Sequence, residues 1–201
     1  MIADVGNIII NKLVTLPFID KYAGVVRVIK YKQKDGIIGS FPADCKISLD
    51  ECNKGKRYLD LVPDSKKKSV LYLEDLGLRQ TDKNGTIQYF NAQYNLVGWL
   101  NLALLGVNSC SYSAAAIGSI FKRLNIAQFN EHIYQYIDIK IIGQQPKSLD
   151  PFAKYSYDET INQYLMFPYD HFVISIDVNF RFDTRCIKEN SLDPANYCLV
   201  K

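Results

Sequence analysis

The sequence predicts an α+β fold: a mainly antiparallel sheet with long hairpins and helices packed on one face. Three observations predict it. Segments of period-two alternation outnumber segments of helical spacing. Asp35-Gly36 and Asn84-Gly85 supply two hairpin turns, because such dipeptides accept the positive φ of tight turns. Strands and helices do not alternate as βαβα, which excludes a doubly wound nucleotide-binding sheet. A single α+β domain over residues 1–201 is expected, with an extended hairpin around 69–105 and an extended C-terminal tail.

Residues 3–16 place Val5, Ile8, Ile9, Leu13 and Leu16 at helical spacing, and Pro17 ends that helix. Asp4 stands where it can cap the N-terminus or favour its positive end. Val25 to Tyr31 is β-branched and reads as one strand, turning at Asp35-Gly36 into a return strand from Ile37-Ile38. Residues 48–68 are polar and basic and read as a loop with a short helical turn at most. Ser69 to Leu73 opens the second hairpin, Asp82-Lys83-Asn84-Gly85 turns it, and a long strand follows from Ile87. In that strand Phe90, Ala92, Tyr94, Leu96, Leu100 and Leu102 face one way, while Asn91, Gln93, Asn95, Val97, Trp99 and Asn101 face the other. Such a strand, roughly 50 Å long at 3.3 Å per residue, must bend at Gly98 or project beyond the body.

Residues 113–124 form the second helix, with Ile117, Ile120, Phe121 and Leu124 as its buried stripe and Ser111 or Ser113 as its cap. Ile133 to Ile142 reads as a strand with Ile133, Ile137, Ile139 and Ile141 inward and Tyr134, Tyr136, Asp138 and Lys140 outward. Residues 143–170 are irregular apart from a short helix from Asp158 to Leu165. The last strand alternates cleanly: Phe172, Ile174, Ile176, Val178, Phe180 and Phe182 against Val173, Ser175, Asp177, Asn179 and Arg181.

Composition limits the function classes. Apolar residues make up 48% and charged residues 22%, ordinary globular values. A net charge of +3 is too small to mark a nucleic-acid binder. The longest apolar run, Leu96 to Val107, holds about twelve residues and includes Asn101; a membrane helix needs roughly 18 or more. No basic stretch precedes the first apolar residues, so no secretory signal is expected. Cys45, Cys52, Cys110, Cys186 and Cys198 are odd in number and scattered, which favours free thiols in a reducing compartment over a disulfide framework. Cys45 and Cys52 lack a second pair of ligands, so no zinc site is expected.

The chain carries no phosphate-loop, nucleophile-elbow or metalloprotease pattern. Its two histidines are His132 and His171, each at a strand start. Asp170 beside His171 cannot easily orient the ring, because neighbours in a strand point to opposite faces. The same divergence separates Asp50 from Glu51 and Glu74 from Asp75, which read as solvated surface. No enzyme, cofactor or metal is expected.

Two sets of residues could meet a partner. Lys66, Lys67 and Lys68 suit a phosphate backbone or an acidic partner, and they also suit a solvated loop. Asn91, Gln93 and Asn95, with Gln88 on the same strand and Ser175, Asp177, Asn179 and Arg181 on the last, make lightly charged strand faces. Such faces are ordinary in a half-solvated sheet; in an oligomeric ring they could line a lumen. The 14 Tyr and 10 Phe suit large contacts.

The order of elements resembles the tail-terminator and neck-ring proteins of tailed bacteriophages. Leu61 to Asp75, Ile87 to Asn101, and Phe167-Pro168-Tyr169-Asp170-His171-Phe172 resemble ring proteins of crAss-like phages. The resemblance implies a structural virion protein of the neck or tail, made in the host bacterial cytoplasm. It implies a homo-oligomeric ring of about six or twelve copies, closed by rotation. Such a ring joins the portal to the tail, touches neighbouring portal, neck or tail ring proteins, and passes DNA without sequence specificity. The alternative is a monomeric adaptor that recognises a polymer or a host-surface glycan.

Overall fold

The computed structural model describes residues 1–32, 38–44, 59–109, 112–126, 134–157 and 163–186. Along the chain run α1 (Ile2–Leu13), β1 (Lys21–Val25), β2 (Arg27–Lys32), β3 (Ile38–Asp44), β4 (Leu59–Asp60), β5 (Ser69–Asn84) and β6 (Ile87–Asn101). They are followed by α2 (Tyr112–Ile126), β7 (Tyr134–Gln144), β8 (Tyr169–Asp183) and a 3-10 turn at Thr184–Cys186. The main sheet has the order β1-β5-β6-β8-β7. β1 joins β5 in parallel, and the other pairs are antiparallel. A smaller antiparallel sheet has the order β2-β3-β4. The fold is α+β with a sheet-dominated core, as the patterning predicts.

The two described α-helices lie on one face of the main sheet. Val5, Ile9 and Leu13 of α1 and Ile117, Ile120 and Leu124 of α2 share a core with Leu73, Tyr94, Leu96 and the inward residues of β8. Each helix presents an apolar stripe, and burying that stripe supplies most of its stability. On the other face, Tyr72, Val97, Trp99 and Val173 pack with Leu61 and Phe152 in a second core. That core covers only one end of the sheet, the base around Trp99. Among the described residues nothing packs on the helix-free face of the far end, towards Gly85.

Several expectations are corrected. Met1 holds the N-cap position of α1 and no side chain caps the helix; Asp4 lies in the first turn, where it favours the positive end, and accepts a 2.8 Å bond from the Tyr134 hydroxyl. The strand read from Val25 to Tyr31 divides at Val26, whose N–H donates to the Leu73 carbonyl at 2.9 Å. The part before it pairs with β5, and the part after it starts the second sheet. β5 runs on to Asn84, because pairing with β6 rather than burial holds residues 75–84. The hairpin turn is shifted by one residue. Asn84 pairs with Ile87, so Gly85 and Thr86 are its central residues, and Gly85 has φ +59°. Glycine first and a normal residue second is the sequence form of a type II′ turn.

Gly98 does not bend β6. It sits in regular register between Leu71 and Phe172, and a Cβ there would lie 2.1 Å from Cζ of Phe172. The glycine makes room for that ring, and the long hairpin projects instead. In β7 an irregularity between Gln135 and Asp138 reverses the expected alternation, with Tyr136 at φ 53°. Tyr134 is therefore buried with Ile137, Ile139 and Ile141 rather than opposite them. Gln163 to Met166 form turns rather than the end of a helix. Leu59-Asp60 pairs with β3 where only loop was expected. The Asp35-Gly36 turn, Cys45, Cys52, Cys110, Cys198, Ser111, His132, Ile133 and the C-terminal tail lie outside the described residues.

Candidate partner-contact surface

The structure separates the two predicted sets of contact residues. Lys66 to Lys68 form a turn at the base of the main sheet. The Asn101 N–H donates to the Lys68 carbonyl at 2.8 Å, and the Asn101 side chain donates to the Ser65 carbonyl at 3.0 Å. Two carboxylates organise that turn. Asp64 accepts from the Lys66 N–H at 2.9 Å. Asp20 accepts from the Lys68 N–H at 3.1 Å and from Lys67 Nζ at 3.4 Å. Lys66 and Lys68 remain exposed, and Lys67 is half-buried. Asn95 and Asn91 lie six and ten residues further along β6, about 20 and 33 Å away at 3.3 Å per residue. One compact site cannot hold both sets.

Asn91, Gln93 and Asn95 do share a surface, the helix-free face of the far sheet. Asn91 Nδ2 donates to Asn179 Oδ1 at 2.9 Å, and Ser175 Oγ donates to Asn95 Oδ1 at 3.0 Å. Gln93 is exposed and stands opposite Asp177. These cross-strand pairs arise from register: residues directly opposite in an antiparallel pair project to the same face. The centre of the ladder is amide and hydroxyl. Charges of both signs interrupt it, with Asp177 and Arg181 on β8, Arg79 on β5, and Asp138 and Lys140 on β7.

At the outer end the face becomes aromatic. The Arg181 guanidinium lies 3.6 Å from the centre of the Tyr136 ring, and such stacking holds an exposed ring in place. At the inner end a shallow cavity of about 220 Å³ is lined by Glu74, Asn95, Gln145, Asp150 and Lys154. Glu74 is buried there and accepts bonds from Lys154 and from the Tyr155 hydroxyl. Burial, then the Glu74 charge and its hydrogen bond, hold the Tyr155 hydroxyl well above its usual pKa, so it stays a donor. Sequence reading misses this cluster, because Glu74 and Tyr155 are 81 residues apart.

His171 is buried, and among the described residues its ring nitrogens make no hydrogen bond of good geometry, although the Leu149 backbone faces the ring. Its neighbour Asp170 accepts from the His171 backbone N–H at 2.8 Å and pairs with Lys147 at 2.7 Å. Burial, helped by Lys147 and opposed by Asp170, holds the imidazole below its ordinary value. The ring thus serves the second core's margin as a neutral group. On the opposite face of the sheet, a cavity of about 510 Å³ between α1 and α2 is bordered by Lys12, Lys122 and Arg123. That basic rim draws on two helices that are far apart in sequence and adjacent in the fold.

Among the described residues no three His, Cys, Asp or Glu side chains gather as a metal site, and no helix is long and apolar enough to cross a membrane. No protein-family model, curated protein or solved structure matches the chain.

Proposed function

We propose that this chain is a structural virion protein, a subunit of an oligomeric ring in a phage neck or tail that surrounds the DNA channel. The amide-bearing face of the far sheet, on which charges of both signs are interspersed rather than gathered as a cationic patch, carries this reading. Duplex DNA presents one negative charge per about 1.7 Å, and clustered cations would bind it tightly. Amide pairs such as Asn91 with Asn179 can hydrogen-bond water beside a moving polyanion without holding it. The net charge of +3 is consistent with weak attraction. The projecting hairpin and the turn at Lys66 to Lys68 lie at opposite ends of the sheet, so they can meet different neighbours: one another subunit, the other an adjoining portal, neck or tail ring protein.

The test is oligomeric state. Native mass spectrometry and negative-stain imaging of the purified chain are expected to show closed rings. A monomer at every concentration would overturn the proposal, and glycan-array binding by that monomer would establish the adaptor alternative.

A further inference from the structure

We propose that the far half of β5 in one copy pairs with β7 of a second copy, so that the main sheet continues from subunit to subunit. This contact rests on the ring reading and names the surfaces that would close it. Both strands are sheet edges. β1 covers β5 only as far as Leu73. From Asp75 to Asn84 β5 is exposed, and among the described residues nothing pairs with its outer side. Among the described residues β7 is hydrogen-bonded on one side only, to β8. An uncovered edge is a row of backbone donors and acceptors that a further strand can satisfy.

The direction of the strands is right for head-to-tail joining. β5, β6, β8 and β7 are successively antiparallel, so β5 and β7 run in opposite directions. Placing the β5 of one copy beside the β7 of the next therefore continues the antiparallel alternation.

The rows also match across the join. Arg79, Asn91, Asn179 and Asp138 stand in one row on the open face. In a flush join the next copy's Arg79 falls beside Asp138, cation against carboxylate. Leu78, Ala92, Val178 and Ile139 make the adjoining row, on the helix side. There the join sets Leu78 beside Ile139. Opposite charges and apolar pairs facing one another are what stabilise neighbouring strands.

The irregularities of the two edges bound the contact. β5 loses register between Asp75 and Gly77 and between Gln80 and Asp82. β7 loses it between Gln135 and Asp138 and between Ile141 and Gly143. Between those bulges the regular segments share three levels: Gly77 with Lys140, Leu78 with Ile139, and Arg79 with Asp138. Bulges discourage indiscriminate edge pairing, so the remaining segment is selective for one register.

The experiment is a cysteine pair. Within one chain residues 79 and 138 are separated by β6 and β8, about 14 Å at 4.8 Å per strand, too far for a disulfide. Across the proposed join their Cα atoms would be about 4.5–5.5 Å apart, inside the disulfide range. The double variant Arg79→Cys/Asp138→Cys is expected to give a ladder of covalent oligomers on mild oxidation. Peptide mass spectrometry of mixed isotope-labelled copies should join residue 79 of one copy to residue 138 of another. In parallel, Arg79→Asp or Asp138→Arg should each weaken association about tenfold, and combining them should restore it. If folded oligomers form with no 79–138 link and ignore both charge reversals, the edge contact is overturned while the ring reading stands. If the unaltered chain is monomeric throughout, both fall.

Discussion

The two halves of the main sheet share β5, β6 and β8 and are stabilised differently, with β1 beside the base and β7 beside the far half. Around Trp99 the sheet is buried on both faces, by the helices on one side and by Leu61, Phe152 and Tyr155 on the other. Around Tyr89 the described residues cover it on one face only, and the other carries half-buried or exposed polar side chains. The base thus depends on packing of large side chains. The far half depends on backbone pairing and on the helix-side core. A subunit can in this way keep a rigid foundation while exposing a long surface and two strand edges to neighbours.

The largest effect should come from emptying the base. Trp99 is 1% exposed, and its indole N–H donates to the Tyr164 carbonyl at 2.9 Å. Trp99→Ala is expected to cost about 3–5 kcal/mol, whereas Tyr89→Ala at the far end should cost under about 1 kcal/mol. Denaturant unfolding measures both, and equal costs would break the contrast between the halves.

Overfilling the base is next. Gly98→Ala drives a methyl group into the Phe172 ring and should cost about 1–3 kcal/mol. Adding Phe172→Leu frees space, so the double variant should be more stable than the sum of the two losses predicts. Simple additivity in a thermal or denaturant series would show that the ring is not the obstacle.

Glu74 is the last buried residue of β5 and marks the boundary between the halves. Glu74→Ala leaves the Tyr155 hydroxyl without its acceptor and should cost about 1–2 kcal/mol. Tyr155→Phe made alongside it should recover part of that loss, which a double-mutant cycle reads directly.

A pH effect should also map to the base. His171 has a folded pKa below its ordinary value of 6.5, chiefly through burial. Between the folded and unfolded values the unfolded chain binds more protons, so stability rises with pH there. The neutral ring's contribution is complete above about pH 6.5 and declines as the pH falls through that window. Unfolding free energies from pH 8 to pH 5 should therefore slope less in His171→Leu than in the unaltered chain; identical slopes would remove His171 from the account.

The smallest change belongs to the far face. Asn91→Ala removes one partly exposed hydrogen bond and should alter stability by no more than about 0.5 kcal/mol. A larger loss would mean that the amide ladder supports the fold rather than only its surface.

Much of this architecture is legible in the residues. The stripe of Ile117, Ile120 and Leu124 marks α2, and the alternation from Phe172 to Phe182 marks β8, because one buried face imposes one period. The doubly apolar end of β6 likewise announces its burial on both sides. The far half of β5 is not legible, since residues 75–84 are all exposed and no apolar period marks them. Tyr134 is misread for another reason: an irregularity at Tyr136 switches the face, and nothing in the residue types marks where a strand gains a bulge.

The candidate surface divides in the same way. Alternation alone puts Asn91, Gln93 and Asn95 on one face, because a strand's side chains have period two. Only the tertiary structure joins Asn91 to Asn179, separates both from Lys66 to Lys68, and gathers Glu74 with Lys154 and Tyr155. Only it shows that Arg79 and Asp138 end the same row at opposite edges of the sheet. Local pattern determines which face a side chain takes. Strand order and register are chosen by contacts between distant segments, and no local period encodes them.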